Sequence, residues 1–465
     1  MCDPDILLIY PPFHMRAGGG NFIPLGLGYI ISAVKNSGFS AEIINCAEQC
    51  RSLYAEELTE FEIYLTKEIQ KYKPMLIGIG PCITSHVRAL KIVSNVCKNV
   101  FPGIPVVCGG PLATMKDQEW FFFEELGIPS IIRGDGEKAI PSLIKTIKMG
   151  LPPSSCPEVS HEGHIVFNEI SDINSLYFPY RADNNRCDQI SKRRTSIETV
   201  NVTMPMITSR GCINSCDYCV SGNISTHYRK RSNENIINEM LSLRDCFGVN
   251  DIVFYDDCFF TNPKESSSDI EEFCYLLLKR EVAMTWQIEL RTDLLLGLTD
   301  TSVKLLERAG CRQINIGIEK TSDEALATIG KASSVGGIDA KNKHISEISQ
   351  IKLAATFILG GDNESETSVM QLIMDSKKLS LSQAHYNPLF VYPATKLYAK
   401  CGFKNREWYN LIINDTLPWG EVVYESKELP REKLLYLIDK AYTEFYRDLP
   451  SNECDTYSDR FNIRR

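Results

Sequence analysis

Short, continuous apolar runs alternate with amphipathic stretches through the first 150 residues of the chain. The runs at 5–10 (DILLIY) and 75–80 (MLIGIG) are apolar throughout, which is typical of strands buried between two layers of helices. Five strand–helix units of this kind predict an α/β fold that begins with a doubly wound parallel sheet. The strands of that sheet are predicted at 5–10, 41–44, 75–80, 104–108 and 129–133, and a helix is predicted at 116–126 between the last two of them.

A second series of strand–helix units begins near residue 204 and predicts a partial (β/α)6 barrel. Its strands are predicted at 206–209, 251–255, 284–290, 313–318, 352–359 and 384–391. We therefore expect an N-terminal sheet domain at 1–150, a linker at 151–203, a barrel at 204–400 and a small C-terminal capping region at 401–465.

Ligands of parallel sheets bind at the carboxyl ends of the strands, so the residues that follow each strand are the first candidates for a site. In the N-terminal domain, Thr84 and Ser85 follow the third strand, Gly109 and Gly110 the fourth, and Gly134 the fifth. Glycine lets the backbone approach a ligand closely. Many nucleotide-binding domains share this pattern, so it indicates a ligand site without naming the ligand.

Three cysteines in a Cys-x3-Cys-x2-Cys run, Cys212, Cys216 and Cys219, follow the first strand of the second series. Three thiolates can hold three irons of a 4Fe–4S cluster and leave the fourth iron open for a small molecule. A zinc site normally has a fourth nearby ligand or a second Cys-x2-Cys pair, and none follows. Ordinary buried thiols are the other alternative in a chain with seventeen cysteines.

Charged and aromatic side chains lie beside this run or end the later strands of the barrel. Asp256 and Asp257 form a carboxylate pair that could bind an ammonium group or cap a helix. An arginine can pair with a carboxylate, and a glutamate can accept hydrogen bonds from hydroxyl or amino groups, but both can also form a structural salt bridge. The remaining candidates of this group are Tyr218, Arg291, Gly317 and Glu319.

The bulk composition excludes several classes of function. The chain has 465 residues, a net charge of −9 and no basic run of the kind that tracks a phosphate backbone, so we expect no nucleic-acid partner. The N-terminus lacks the pattern of a signal peptide, and no apolar run is long enough to span a membrane. We therefore expect a cytoplasmic protein without a membrane span, in which the cysteines are thiols or metal ligands.

The motifs together resemble the cobalamin-binding-domain radical S-adenosylmethionine (SAM) enzymes, the class B radical SAM methyltransferase-like family. The resemblance spans nearly the whole chain. Beside the cysteine loop, it rests on LLIYPP at 7–12, VVCGGP at 106–111, IIRGDGE at 131–137, VFYDDCFFTN at 253–262, IGIEKTSDE at 316–324, FILGG at 357–361 and VYPATKLY at 391–398. In that family the N-terminal, Rossmann-like domain holds cobalamin between itself and the barrel.

The resemblance implies three cofactors and assigns residues to each. The cysteine loop would hold a 4Fe–4S cluster, and the open iron would bind SAM. The SAM contacts would be Tyr218, Asp256, Asp257, Arg291, Gly317 and Glu319. The cobalamin contacts would be Thr84, Ser85, Gly109, Gly110 and Gly134.

The family's activity implies a methyltransferase that acts at an unactivated carbon, using a 5′-deoxyadenosyl radical and methylcobalamin. The substrate would be a small molecule or a peptide, and an electron donor such as flavodoxin or ferredoxin would reduce the cluster. Two alternatives stay open. One is a cobalamin-dependent cyclase, rearrangement or oxidation enzyme that transfers no methyl group, and the other is a cofactor-sensing binding protein.

Two departures from the family pattern affect the assignments. The Gly-Gly-Glu run that binds the SAM amino group in many radical SAM enzymes is absent, so Asp256 or Asp257 would take its place. Many cobalamin proteins use an Asp-x-His-x-x-Gly run whose histidine binds cobalt. Here His14 is present, but Pro12 and Ala17 replace the Asp and Gly, so we expect no cobalt bond from His14.

Overall fold

The structure of the chain is a computed structural model that describes residues 3–12, 24–49, 58–181, 191–194, 200–225, 227–261, 266–331, 333–404, 406–414 and 421–447. It contains two large parallel sheets, each flanked by helices. The predicted α/β class, with a doubly wound sheet followed by a partial barrel, is confirmed. His14 lies outside the described residues.

The first sheet contains five parallel strands in the order β2-β1-β3-β4-β5. Alternate residues of β1 enter different cores, because Leu7 and Ile9 pack on one face of the sheet and Ile6 and Leu8 on the other. The strand order changes direction between β1 and β3, and sheets of this order bind their ligand there. The strands are β1 (Ile6–Tyr10), β2 (Ala41–Asn45), β3 (Leu76–Ile79), β4 (Val106–Gly109) and β5 (Ile131–Ile132).

Among the described residues, six helices accompany the first sheet, and two of them carry strongly one-sided apolar faces. Helix α4 buries Val87, Leu90, Val93 and Cys97, which recur every three or four residues as a helix facing a sheet requires. The helices are α1 (Leu25–Asn36), α2 (Cys46–Gln49), α3 (Leu58–Ile69), α4 (Val87–Val100), α5 (Pro111–Thr114) and α6 (Ala139–Lys148).

The second sheet has the order β14-β13-β12-β11-β10-β7-β6, in which β7 and β10 to β14 are parallel and β6 is an antiparallel edge strand. A separate hairpin, β8 (Ser209–Arg210) with β9 (Arg229–Lys230), follows β7. The strands are β6 (Ser191–Arg194), β7 (Val200–Met206), β10 (Asp251–Phe254), β11 (Thr285–Arg291), β12 (Cys311–Glu319), β13 (Lys352–Leu359) and β14 (Gln383–Pro388).

The helices of the second half connect these strands and cover the outside of the sheet. None of the helices in the described residues is both long and apolar enough to cross a bilayer. The helices are α7 (Ser221–Ile224), α8 (Asn233–Phe247), α9 (Ser266–Lys279), α10 (Thr292–Leu296), α11 (Asp300–Arg308), α12 (Asp323–Thr328), α13 (Ile338–Ile348), α14 (Glu366–Ser376), α15 (Lys396–Lys400), α16 (Glu407–Asn414) and α17 (Arg431–Tyr446).

Two predicted elements differ from the structure. The helix expected at 116–126 is wrong: Asp117 has a φ of 60°, which breaks a right-handed helix, and only a π-helical turn at Phe121–Glu125 follows. The first barrel strand was expected at 206–209 but runs over Val200–Met206 and pairs with β10. The strand was not predicted at its true position because Pro205 and the alternating polar residues interrupt the continuous apolar run that is typical of a buried strand.

The segment between the two sheets is attached to the first one. Ser160 pairs with Ile131 of β5, and Asn168 pairs with Gly134 just beyond it. This attachment extends the edge of the N-terminal sheet and brings the backbone of residue 168 against the loop that follows β5.

The region after residue 400 divides between the two sheets. Helix α16 packs on the first sheet's layer, where Trp408 is fully buried and donates a hydrogen bond to Gln118 at 2.8 Å. Arg88 of α4 donates to the Ile412 carbonyl at 2.9 Å. Helix α17 instead lies against β14, where the Tyr442 hydroxyl meets the backbone N–H of Tyr386 at 3.1 Å.

Candidate functional site

The three cysteines lie on a loop that the β8–β9 hairpin closes at its base. Cys212, Cys216 and Cys219 are all partly exposed, whereas most other cysteines in the described residues are buried. The loop follows β7 directly, at the carboxyl edge of the barrel sheet. This is the position at which parallel β/α structures place their chemistry.

Hydrogen bonds and nearby charges act on the thiols of this loop. The pKa of Cys212 is lowered to about 6, because Cys258 donates a hydrogen bond to its sulfur and outweighs the effect of burial. Asn214 Nδ2 also donates to that sulfur, at 3.4 Å. Burial raises the pKa of Cys216, and the positive charge of Lys331 opposes that shift. The thiolate, which is the form that binds iron, is therefore favoured at Cys212 at neutral pH.

These thiols can supply three of the ligands of a multi-iron cluster. In a four-iron cluster each thiolate binds a different iron, so the sulfurs must surround the cluster and not converge on one point. Three partly exposed thiols on one short loop fit that requirement.

The two aspartates after β10 occupy different environments. Asp256 is 4% exposed and accepts hydrogen bonds from the backbone N–H groups of Thr208 at 2.7 Å and Ser209 at 2.6 Å. Burial raises its pKa to about 6 although these donors oppose the shift. Asp257 is exposed and accepts from the Ser221 hydroxyl at 2.7 Å, beside the cysteine loop. Asp256 therefore anchors the start of the loop, and Asp257 faces the site.

Tyr218 and Glu319 meet beside the cysteines. Burial raises the pKa of Tyr218, and its hydrogen bond to the Glu319 carboxylate raises it further. Lys331 Nζ lies 3.1 Å from Glu319 Oε1 and donates to the Gly317 carbonyl at 2.6 Å. Glu319 is therefore held by Lys331 at the carboxyl end of β12.

Arg291, at the end of β11, forms a two-pronged ion pair with Asp293, with both N···O distances at 2.9 Å. Both residues therefore form structural ion pairs, Arg291 with Asp293 and Glu319 with Lys331. The negative charges of Asp293 and Cys216 raise the pKa of Arg291, against the effect of burial. The positive guanidinium group of Arg291 therefore lies close enough to the cysteine loop to interact electrostatically with the Cys216 thiolate.

The lumen of the barrel is lined by polar side chains. Along β11 alternate residues are buried, and those between them, Gln287, Glu289 and Arg291, face the lumen. Strand register places Asn315 opposite Glu289, and the same row continues to Gln383 through Ala354. The next row joins Arg291 to Gly317, Thr356 and His385.

Glu289 is accessible to solvent although the walls of the lumen surround it. That enclosure raises its pKa to about 7, and the negative charges of Asp256, Asp257 and Glu319 raise it further. A carboxyl group of this kind titrates close to neutral pH and can exchange a proton with a bound molecule.

The N-terminal sheet approaches the cysteine loop through the residues after β3. Thr84 and Ser85 hydrogen-bond the buried carboxyl group of Glu421, whose pKa burial raises to about 8. Tyr218 and Val220 of the cysteine loop pack against the apolar core to which β3 contributes. The switch point of the first sheet and the cysteine loop therefore lie on one shared core.

The three glycines assigned to cobalamin differ in what surrounds them. A Cβ on Gly134, whose φ is +80°, would lie 2.1 Å from the Asn168 carbonyl oxygen. A Cβ on Gly110, whose φ is +116°, would lie 2.6 Å from the Cys82 nitrogen. Packing inside the protein thus already requires glycine at both positions. A Cβ on Gly109 would come no closer than 3.6 Å to the protein, so space remains beside it.

Sequence reasoning missed four residues of this site. Glu289 lies two positions before Arg291 on the same strand, and Cys258 follows the aspartate pair directly, so strand alternation and proximity could have found both. Lys331 and Glu421 reach the site from distant parts of the chain, and no local pattern marks either of them.

Comparison with known proteins agrees with this arrangement of two domains. Residues 206–375 match the Radical SAM superfamily, and residues 15–144 match the B12 binding domain. The first match begins at the last residue of β7 and covers the cysteine loop and the four barrel strands β10 to β13. The second covers most of the N-terminal sheet.

Two curated relatives match along nearly the whole chain. An uncharacterized methyltransferase of Pyrococcus horikoshii is 27% identical, over 95% of this chain and 92% of the relative. An anaerobic magnesium-protoporphyrin IX monomethyl ester cyclase of Rubrivivax gelatinosus is 23% identical, over 95% of this chain and 78% of the relative.

Solved structures share the fold. The radical SAM methyltransferase TsrM of Kitasatospora setae, with cobalamin and a [4Fe-4S] cluster bound, aligns with a TM-score of 0.64 and 17% identity, over 84% of this chain and 73% of TsrM. The cobalamin-dependent radical SAM enzyme OxsB aligns with a TM-score of 0.67 and 17% identity, over 96% of this chain and 66% of OxsB. The chain therefore belongs to the cobalamin-binding-domain radical SAM enzymes, whose cofactors are a 4Fe–4S cluster, SAM and cobalamin.

Proposed function

We propose that this enzyme transfers a methyl group to an unactivated carbon of a polar small molecule. The observation that carries the proposal is the junction of the two halves, where Tyr218 and Val220 of the cluster loop pack against the core of the cobalamin-binding domain and Arg210 pairs with Asp135 after β5. One of these sites would hold the radical source and the other the methyl donor. Their proximity suits a reaction in which a single substrate contacts both. The relatives named as methyltransferases support the same reaction.

When bound, the cluster supplies the electron that splits SAM into methionine and a 5′-deoxyadenosyl radical, and cobalamin supplies the methyl group. A carbon without an acidic hydrogen offers an electrophilic methyl group nothing to attack, so hydrogen removal must come first. The residues of the chain bind, orient and exclude water, while the cofactors carry the difficult chemistry.

In this proposal Cys212, Cys216 and Cys219 hold the cluster. The SAM contacts are Asp257, Arg291, Gly317 and Glu319, with the ring of Tyr218 packing beside the adenine. Arg291 would neutralise the SAM carboxylate, a pairing that charge-assisted hydrogen bonds strengthen. Asp256 acts differently from the other carboxylates, because its oxygens already hold Thr208 and Ser209.

Cobalamin would lie at the switch point of the first sheet, against Thr84, Ser85 and Gly109. Hydroxyl groups and the carboxyl of Glu421 provide hydrogen-bonding partners there, and the open space at Gly109 lets the backbone approach a large ligand. Gly110 and Gly134 shape this edge by packing against protein backbone.

The lumen rows support a polar substrate. The wall carries hydrogen-bond donors and acceptors at Gln287, Glu289, Asn315 and His385. An entirely apolar substrate would bury these groups without hydrogen-bonding partners, which is unfavourable. Substrates with amide, hydroxyl or amino groups fit this wall. An electron donor such as flavodoxin or ferredoxin, and a cytoplasmic location, complete the proposal.

Isotope transfer tests the proposed reaction even while the identity of the substrate is open. The anaerobically reconstituted enzyme, with hydroxocobalamin and a low-potential reductant, is given SAM that carries a deuterated methyl group together with a polar metabolite extract. We expect a new labelled product by mass spectrometry, with 5′-deoxyadenosine and S-adenosylhomocysteine in near-equal amounts. The same extract with enzyme lacking the cluster cysteines is the control.

A product without label would contradict methyl transfer. If 5′-deoxyadenosine forms in step with an unlabelled product, the enzyme is a cyclase or an oxidising enzyme, and the relative named as a cyclase becomes the better guide. If both cofactors bind and SAM is never cleaved under reduction, the chain is a cofactor-sensing protein.

A further inference from the structure

Two acidic residues after β5 hold the hairpin that closes the cysteine loop. Asp135 Oδ1 accepts a hydrogen bond from Arg210 at 2.6 Å, and Glu137 accepts one from the same guanidinium group. Asp135 Oδ2 accepts from Arg229 on the other strand of the hairpin. We name these four residues the carboxylate clamp.

The carboxylate clamp is buried, which separates it from ordinary surface ion pairs. The side chains of Asp135 and Glu137 are 9% and 6% exposed, and those of Arg210 and Arg229 are 16% and 10% exposed. Exposed pairs contribute little because water screens them, whereas enclosed arginine–carboxylate pairs fix geometry strongly. Burial acts to raise the pKa of Asp135, but the two arginines lower it overall.

The clamp holds both strands of the hairpin at once. Arg210 and Arg229 are register partners, so the two guanidinium groups emerge side by side. Arg210 lies two residues before Cys212, the first cysteine of the loop. A displacement of this pair therefore moves the base of the cysteine loop.

The acidic side of the clamp is itself fixed in the N-terminal domain. The Asp135 N–H donates to the Asn168 carbonyl, and the Ile170 N–H donates to Asp135 Oδ2, both at 2.8 Å. The ring of Tyr29, on α1, lies 5.1 Å from the Arg210 guanidinium. The carboxylates thus have little freedom to follow the hairpin if it moves.

We propose that the carboxylate clamp is a positioning device that fixes the cluster loop against the cobalamin-binding sheet and so sets the separation of the two cofactors. The proposal rests on the proposed function in that it takes both cofactors to lie at the sites described above. Hydrogen removal and methyl transfer act on one substrate carbon, so a shift of about 1 Å between the two sites lowers the rate strongly.

The clamp residues are positioning residues, since none of them provides a thiol to the cluster. Loss of the clamp charges leaves Cys212, Cys216 and Cys219 in the chain but loosens the base of their loop. We therefore expect the cluster to assemble normally in clamp variants and to take a wider range of distances from cobalamin.

The test compares a double variant, D135N/E137Q, with the matched control E119Q. Glu119 pairs with Arg133 at 2.8 Å in the same domain, with side chains 17% and 11% exposed, and its partner lies outside the hairpin. A second variant, R210K, keeps the positive charge but cannot bridge two carboxylates, because an ammonium lacks the planar fork. Each protein is reconstituted with iron, sulfide and hydroxocobalamin.

The readout is the paramagnetic relaxation of Co(II) cobalamin, measured by power saturation with the cluster first oxidised and then reduced. A reduced cluster nearby accelerates the relaxation through dipolar coupling, which falls steeply with distance. We expect strong acceleration in the unaltered protein and in E119Q. In D135N/E137Q and R210K we expect the acceleration to fall at least threefold, with iron unchanged at about four per chain.

Three results would overturn the proposal. Unchanged acceleration in both clamp variants would show that the ion pairs do not set the separation. Loss of iron from the clamp variants but not from E119Q would make the pairs part of the loop's own fold. Absence of acceleration in the unaltered protein, with both cofactors bound, would show that the sites are not held close. None of these readouts depends on methyl transfer, so failure of the proposed reaction is a separate result.

Discussion

The carboxyl edges of the two parallel sheets have similar topology but contrasting composition. At the N-terminal edge, Gly110 and Gly134 pack against backbone, and the hydroxyls of Thr84 and Ser85 bond an enclosed carboxyl group. At the barrel edge, partly exposed thiols stand beside ionised side chains such as Arg291. The contrast teaches that a parallel sheet determines where a ligand binds, while the loop residues determine what is bound and what chemistry follows.

The largest effect is expected at the barrel edge, where removal of the three thiols should abolish iron binding. Replacing Cys212, Cys216 and Cys219 together by Ala is expected to reduce the iron content from about four per chain to nearly none, because no thiolate remains for any iron. SAM cleavage should disappear with it. Iron analysis and chromatographic detection of 5′-deoxyadenosine measure both effects.

The control for that experiment is Cys246→Ala, which removes an exposed thiol on α8. Its iron content and SAM cleavage should equal those of the unaltered enzyme. Normal SAM cleavage by the triple variant would refute the assignment of the cluster.

At the N-terminal edge, the stability of the fold should depend more on backbone conformation at the glycines than on side-chain charge. Gly134→Ala is expected to lower the free energy of unfolding by about 3 kcal/mol, because the new Cβ meets the Asn168 oxygen at a positive φ. Gly109→Ala should lower it by less than about 1 kcal/mol, because its Cβ makes only ordinary contacts.

Denaturant unfolding of the cofactor-depleted protein measures these two glycine variants. If Gly109→Ala also weakens cobalamin binding, the open space beside it belongs to the ligand. Equal losses of stability in the two variants would contradict the described packing.

A single charge at the barrel edge should control SAM affinity. Arg291→Gln is expected to weaken SAM binding about ten- to hundredfold, which corresponds to one charged hydrogen-bonding interaction. Iron content should not change, because the thiols remain. Equilibrium binding of SAM to the iron-reconstituted protein gives the dissociation constant.

The matched control is Arg312→Gln, which removes an arginine that pairs with Asp251 at 2.6 Å and 2.8 Å near the other end of the lumen. Its SAM affinity should match that of the unaltered protein. A similar loss in both variants would mean that Arg291 acts on the fold of the barrel and not on SAM.

A pH dependence of stability is expected at the junction of the two edges. Burial raises the pKa of Glu421 to about 8 from an ordinary value of 4.5, so the folded state favours the neutral acid. Its contribution to stability is complete below about pH 4.5 and is lost as pH rises towards 8, at up to about 1.4 kcal/mol per pH unit.

Glu421→Gln should flatten this decline, because the amide does not titrate. Unfolding free energies of the cofactor-depleted protein between pH 5 and pH 8 give the two slopes. Parallel curves for the variant and the unaltered protein would show that Glu421 is ionised in the folded state.

Local pattern predicted most of the fold and the central feature of the site. Apolar runs located all five strands of the first sheet, and the spacing of Cys212, Cys216 and Cys219 identified the loop that the structure places at the barrel edge. Helix α13 was not predicted, because Ile338 and Ile345 are its only fully buried apolar residues and lie a heptad apart. The turn at Asp117 was missed because four adjacent large apolar residues resemble a helix.

Contacts between distant segments could not be predicted. Gly134 suggested a ligand because of its residue type, yet the neighbour that requires glycine is Asn168 in the following segment. Asp135 and Glu137 carry no signal for Arg210 or Arg229, which lie more than 70 residues away. Such pairings form only when the two sheets pack against each other. A single sequence shows which residues are charged but not which of them will pair.

The docking of α16 has a consequence for the order in which the protein matures. Trp408 and Tyr409 complete a core whose other members, among them Phe121 and Phe122, are synthesised almost 300 residues earlier. During translation the N-terminal domain emerges first, with this apolar surface uncovered until the last tenth of the described chain leaves the ribosome. The strands of the barrel are therefore synthesised while the N-terminal core is still incomplete, and closure of that core is a late event.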